Sequence, residues 1–243
     1  KMEIERTKEK ALNLLRKKYN SKVAYGLFKG MKLNQDSSWD PYGQITQILG
    51  TYEEHVAQEL KKFSSYGSVR FVDIGAADGY FAIGMVKSDL YKEAFTFEIS
   101  NEGQNIIKKN AFLNDCSELI QVFGEANTKS ISKTLSDGKL TSFLTDIEGM
   151  EYDFLNEEML ELLKNSFVIC ELHPWLVDEG NDLEKSLITR ASKYFDCKLM
   201  RRENYNPNSF QEFDDFTDEQ RLIIVGEGRH KNMNWMILTP KQS

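Results

Sequence analysis

What most constrains this chain is a change of texture at Val69. From there on, short apolar runs at 69–74, 94–97, 119–123, 141–147 and 166–172 are separated by helix-like segments at 79–90, 101–114, 128–136 and 150–164. Short runs without polar alternation are expected of parallel strands buried on both faces. Strand–helix units joined by right-handed crossovers predict a Rossmann-like, doubly wound, mostly parallel sheet. A helix near 182–194 and shorter strand-like runs near 196–201, 221–225 and 234–238 are expected to complete the domain, whose sheet is expected to be seven-stranded.

The first 65 residues read differently. Ile4, Lys8, Ala11, Leu12, Leu15 and Tyr19 recur at helical spacing and predict an amphipathic helix. Residues 23–28 alternate weakly up to Gly30, and 34–43 read as a loop. Thr51 with Glu54 three positions on matches a capping box opening a helix that runs to about Phe63. The expected organisation is an N-terminal helical and loop cap over 1–65 and a Rossmann-like domain over 66–243. The polar stretch 202–219 is too long for an ordinary connection, so it predicts a functional lid or a mobile segment.

At 243 residues the chain suits one large α/β domain. A formal net charge of −7 argues against a phosphate backbone as partner, so no nucleic acid is expected. Cys116, Cys170 and Cys197 are odd in number and widely spaced, which disfavours zinc and a disulfide framework. Reduced thiols, a charged start and the lack of a long apolar run predict no membrane span and a cytoplasmic location.

The strongest chemical signal is Val72-Asp73-Ile74-Gly75-Ala76-Ala77-Asp78-Gly79-Tyr80, placed between a strand and a helix. Ligands of open α/β sheets sit at the carboxyl ends of strands. Dinucleotide loops favour G-x-G-x-x-G, whereas here the spacing is Gly75-x-x-x-Gly79 with an acid just ahead of it. Asp73 would repel a pyrophosphate and suits a cationic ligand. The next strand ends Phe97-Glu98-Ile99, and a carboxylate there can accept ribose hydroxyls. A nucleoside with a cationic amino-acid tail is S-adenosylmethionine. The plainer alternative, that Asp73 and Glu98 only cap helices, leaves their matched placement unexplained.

Two further runs end strands four and five: Thr145-Asp146-Ile147-Glu148-Gly149-Met150-Glu151 and Cys170-Glu171-Leu172-His173-Pro174. Residues two apart on an extended chain share a face. Asp146 with Glu148, and Glu171 with His173, therefore point together.

Taken with Gly50-Thr51-Tyr52-Glu53, these runs resemble the FkbM-like family of methyltransferases over roughly residues 50–175. The Asp-Ile-Glu-Gly-x-Glu run is the most distinctive element. The loop differs in reading Ala-Ala-Asp-Gly, and the second strand in ending Phe-Glu-Ile. The resemblance implies a Rossmann-like fold, S-adenosylmethionine as donor, and chiefly O-methylation of sugars, glycans and natural products. It places Asp73, Gly75 and Glu98 on the donor, with Glu53 and Asp146 close by. Ala76, Gly79, Tyr80 and Ile99 complete the expected cofactor site.

A hydroxyl acceptor benefits from a base, and His173 is the candidate, with Glu171 or Glu148 orienting or replacing it. A divalent cation on Asp146, Glu148, Glu171 and His173 is a second option, not favoured because no dense ligand motif is present. The expected acceptor is a small molecule or glycan precursor. A phosphate, phosphoramidate or carboxylate acceptor is one alternative, and a non-catalytic S-adenosylmethionine-binding protein is another. Trp39, Tyr42, Trp175, Tyr205 and Phe210 are loop aromatics that can stack on a ligand or pack the cap. One of Arg201 and Arg202 is available for an anion, and His55 and His230 are expected at the surface.

Overall fold

The computed structural model describes residues 2–35, 42–202, 205–229 and 231–241. Three helices come first: α1 (Met2–Tyr19), α2 (Gln44–Leu49) and α3 (Glu54–Ser65). The alternating part follows as β1 (Arg70–Ile74), α4 (Tyr80–Lys87), β2 (Glu93–Phe97), α5 (Asn101–Leu113), β3 (Ile120–Phe123), α6 (Thr128–Leu135) and β4 (Thr141–Thr145). Then come α7 (Glu151–Phe154), α8 (Glu157–Leu163), β5 (Phe167–Leu172), α9 (Gly180–Ala191), β6 (Phe195–Arg201), α10 (Asp218–Val225) and β7 (Asn234–Pro240).

The strands form one seven-stranded sheet in the order β3-β2-β1-β4-β5-β7-β6. The first five are parallel, and β7 runs antiparallel between β5 and β6. This is the Rossmann-like, doubly wound architecture the apolar runs predict. Alternation along each strand divides the core in two. Phe71, Leu144, Ile169 and Ile237 face one hydrophobic cluster together with buried residues of α1–α5 and α10. Val72, Phe143, Val168 and Met236 face the other, with α7, α8 and α9.

That parity decides where the polar residues go. Asp73 follows Phe71 by two, Asp146 follows Leu144 by two, and Glu171 and His173 follow Ile169 by two and four. All four thus leave the sheet on the face covered by the N-terminal segment. The strand tips are tied together there: Gly75 N–H donates to the Phe97 carbonyl and Asp146 N–H to the Ile74 carbonyl, both at 2.9 Å. Gly75 has φ +82°, and a Cβ on it would lie 1.8 Å from the Asp146 carbonyl oxygen. Only glycine lets β1 turn that close to β4.

Four sequence readings need correction. Residues 221–225 are the last turns of α10, not a strand: Thr217 and Gln220 form a capping box that starts a helix ahead of the β-branched run. The box expected at Thr51 does not form. Glu53 precedes α3 in the left-handed region at φ 42°, and the Thr51 hydroxyl donates to the Thr46 carbonyl. The helix expected over 150–164 is two, divided where the Asn156 side chain caps α8. The described part of 202–219 is packed, not lid-like: Phe210, Phe213 and Phe216 are buried in the core cluster that holds α1. Among the described residues, no helix is long and apolar enough to cross a membrane.

Candidate functional site

A cavity of about 420 Å³ opens at the carboxyl ends of β1, β4 and β5, beneath the N-terminal segment. The sheet side supplies Asp73, Gly75, Ala76, Ala77, Asp78, Tyr80, Asp146, Glu148, Glu171 and His173. The segment before β1 supplies Gln44, Thr46, Gln47, Tyr52 and Glu53, and the approach to β7 supplies Glu227, Arg229, Lys231 and Met233. Most sequence-predicted site residues therefore converge on one space. Gly79, Glu98 and Ile99 lie outside its lining. Glu98 is buried beside the loop and accepts from the Ala77 and Ser100 backbone N–H groups at 3.1 and 2.8 Å. Ile99 is exposed.

His173 stands just past β5 with its ring almost wholly buried. Its Nδ1 bonds the carboxylate of Glu151, the fully buried first residue of α7. Its Nε2 faces Glu148 at 3.5 Å, Asp146 at 3.7 Å and Glu171 at 3.9 Å. Burial alone would depress the imidazole pKa. The Glu151 hydrogen bond and the charges of Asp146, Glu151 and Glu148 outweigh it and raise the pKa above the ordinary histidine value. Glu148 holds its place from a left-handed backbone, φ 52°, ahead of Gly149 at φ 101°.

Across the cavity, Arg229 is embedded in acid. Its guanidinium bonds Glu53 and Glu171, and Glu227 at 2.8 Å. Burial raises the Glu53 pKa to about 8 against the pull of Arg229, with Glu227 and Asp146 adding to the rise. Burial likewise pushes up Asp73, helped by Asp146 and Asp78, and Glu171, helped by Glu53 and Asp146. Asp146 is raised by burial and held back by His173. Seven lining acids (Glu53, Asp73, Asp78, Asp146, Glu148, Glu171 and Glu227) meet two permanent cations, Arg229 and Lys231. Such a lining suits a ligand carrying positive charge.

Glu151 and Arg229 were not among the sequence candidates. Glu151 closes the Asp146–Glu151 run, but the strand-alternation rule stops at β4 and does not reach a helical turn. Arg229 has no local signal, since Glu53 and Glu171 lie 176 and 58 residues away. Of the loop aromatics, Trp175 lines the cavity, Phe210 packs against Tyr25, and the Tyr205 hydroxyl bonds Glu54. Tyr42 is half-buried against the core. His55 is not at the surface: it packs edge-on against Trp235, and burial lowers its pKa to about 4. Arg202 approaches Glu227 at 3.5 Å and Arg201 is exposed. Trp39 and His230 lie outside the described residues.

No protein-family model matches this chain, and no curated protein matches it in sequence. Solved structures do match in fold. One is Streptococcus pneumoniae Sp1610, a candidate tRNA (m1A22) methyltransferase solved in complex with S-adenosyl-L-methionine. It has a TM-score of 0.50 and 17% identity, over 76% of this chain and 73% of that one. Another is a candidate O-methyltransferase from Klebsiella pneumoniae, with a TM-score of 0.51 and 11% identity, over 97% of this chain and 90% of that one. At these identities the likeness is one of fold.

Proposed function

We propose that this chain is a class I S-adenosylmethionine-dependent methyltransferase that methylates a hydroxyl of a sugar, glycan precursor or related small metabolite. The observation that carries the reading is the acid-lined cavity in which the β1 glycine loop, with Asp73 and Gly75, faces the His173 cluster. The fold shared with the two methyltransferase structures supports it, and so does the FkbM-like pattern in the sequence.

The residues present fit the donor. Bound there, S-adenosylmethionine supplies a methyl group already activated on a sulfonium. Asp73 and its acidic neighbours favour the sulfonium and ammonium charges. Gly75 and Ala76 bring backbone close without bulk. Glu98 uses one acceptor position on each oxygen for Ala77 and Ser100, and a carboxylate has about four, so two remain for ribose hydroxyls. Ile99 offers an apolar face beside it.

The His173 cluster serves the acceptor. Glu151 holds the ring by Nδ1 and aims Nε2 into the cavity, where Glu148 and Glu171 also face it. The hydroxyl proton is taken up in that cluster as the oxygen attacks. Tyr52 and Trp175 line the acceptor side with rings. An anionic acceptor is the weaker reading, because Arg229 is already held by three carboxylates.

Calorimetry with S-adenosylmethionine and S-adenosylhomocysteine tests the donor half, on the wild type and on Asp73→Asn and Glu98→Gln. Micromolar binding weakened in both variants is the expected result. A wild type that binds neither compound, alone or with a panel of hydroxyl acceptors, overturns the reading. A wild type that binds the donor but transfers no methyl group to any acceptor would leave a binding protein instead.

A further inference from the structure

Negative charge in the cavity is not evenly answered. Arg229 serves the Glu53 side, whereas Asp146, Glu148 and Glu151 surround one imidazole. The His173 side chain is only 3% exposed, and the carboxylate oxygens facing Nε2 stand off at 3.5 to 3.9 Å. Asp146 Oδ1 is buried and unpartnered 3.7 Å from it. The second oxygen of the fully buried Glu151, Oε2, is also unpartnered.

A separation of 3.7 Å is too long for a hydrogen bond. It matches the span of two ligands on a common ion: donors about 2.1 Å from a cation, at an angle near ~120°, lie about 3.6 Å apart. A buried acceptor without a partner, as Asp146 Oδ1 is, costs free energy that a cation would recover. Ligand atoms of Asp146, Glu151 and His173 all fall within 4.8 Å of one another.

We propose that Asp146 and His173 are the inner ligands of a divalent transition-metal site, with Glu151 behind the ring and Glu148 closing it from solvent. The Nδ1 hydrogen bond to Glu151 fixes the tautomer that leaves the Nε2 lone pair free, as partner carboxylates of metal-bound histidines do. Glu151 is thus a positioning residue that acts through the ring. The Glu148 side chain is 74% exposed and 3.5 Å from Nε2, so a rotamer change brings it onto the ion. One imidazole among carboxylates selects manganese, iron or zinc over magnesium and calcium. The use of the site rests on the methyltransferase reading, in which a cation would polarise the acceptor hydroxyl. The site itself does not.

The test is titration of the chelator-treated full chain with Mn2+, followed by the electron paramagnetic resonance signal of free Mn2+ and by calorimetry. Mg2+ and Ca2+ serve as competitors, and S-adenosylhomocysteine binding is measured in parallel. One Mn2+ should bind per chain, displaced poorly by Mg2+ or Ca2+. Binding should vanish in His173→Gln and weaken by about 10–100-fold in Glu151→Gln. The exposed variant Glu148→Gln should weaken Mn2+ binding without altering the circular dichroism spectrum, which guards against a misfolded His173→Gln. No Mn2+ uptake by the wild type, or uptake indifferent to both His173→Gln and Glu148→Gln, overturns the proposal. S-adenosylhomocysteine binding without Mn2+ binding would sink the metal site alone. Site-specific Mn2+ binding without S-adenosylhomocysteine binding would support the site and count against the methyltransferase reading.

Discussion

Two buried acidic centres in this molecule are built in opposite ways. At the foot of the N-terminal segment, one carboxylate, Glu212, receives several donors: the Tyr19 hydroxyl, the Tyr25 hydroxyl at 2.7 Å and the Lys18 ammonium at 2.9 Å. In the cavity the ratio is inverted, with four carboxylates around one imidazole and three around one guanidinium. Glu212 is held down to about 2: burial would raise it, but the bonds from Tyr19, Tyr25 and Lys18 prevail. Glu53 is pushed up to about 8. An acid that gathers three donors on one oxygen, as Glu212 does on Oε1, fastens parts together even though its Oε2 has no partner. Several acids sharing one cation carry a desolvation cost that the fold bears.

Changing each centre in turn should separate the two roles. The largest effect expected is on turnover. His173→Gln should lower methyl transfer by about 10²–10⁴-fold, the usual worth of a positioned proton acceptor, while S-adenosylhomocysteine affinity stays within a few-fold. Radiolabelled methyl transfer and calorimetry check the two halves, and a comparable loss of product binding would show that His173 supports the fold instead. Arg229→Met comes next. It leaves Glu53, Glu171 and Glu227 buried without their cation and should cost about 3–5 kcal/mol in denaturant unfolding. The loss should grow as pH rises and more of these acids ionise. In the wild type, Glu53 binds its proton more tightly folded than unfolded. Its contribution to stability is full below the ordinary carboxylate range and is lost as pH rises toward about 8. Glu53→Gln should flatten that limb of the stability profile.

The same contrast explains what could be foreseen from sequence. Strands β1, β2, β4 and β5 were legible because burial on both faces demands apolar runs, and Asp73, Asp146, Glu171 and His173 were legible because strand parity carries them to one face. What failed were places where a distant partner or a local cap overruled pattern. Residues 221–225 look like a strand, but Thr217 and Gln220 commit the chain to a helix. Thr51 and Glu54 look like a cap, but between them Glu53 turns to reach Arg229 from a left-handed backbone. Arg229 and Glu151 escaped notice because their roles depend on contacts that neither strand alternation nor helical spacing encodes. The donor-rich centre was equally hidden, since Glu212 lies 194 residues from Lys18.

Changes on the donor-rich side should be smaller and purely structural. Glu212→Gln keeps the shape but removes the charge from these bonds, so unfolding should become easier by roughly 1–3 kcal/mol at neutral pH, with turnover unchanged. The pH sign is opposite to that of Glu53. Because Glu212 is depressed when folded, its contribution is present above the ordinary carboxylate pKa and is lost as pH falls through about 2. The gap between wild type and Glu212→Gln should therefore close in acid, and a gap that persists at pH 2 would mean that packing rather than charge fastens this corner. The smallest effect expected is at Thr217, whose hydroxyl accepts from the Gln220 N–H at 3.3 Å. Thr217→Ala removes the cap of α10, the helix packed against α1, and should cost about 1 kcal/mol. Since α10 leads directly into the segment carrying Glu227 and Arg229, the thermal shift should come with little change in donor affinity. A fall in affinity larger than the stability loss would show that the two centres are coupled through α10, and the division drawn between them would have to be given up.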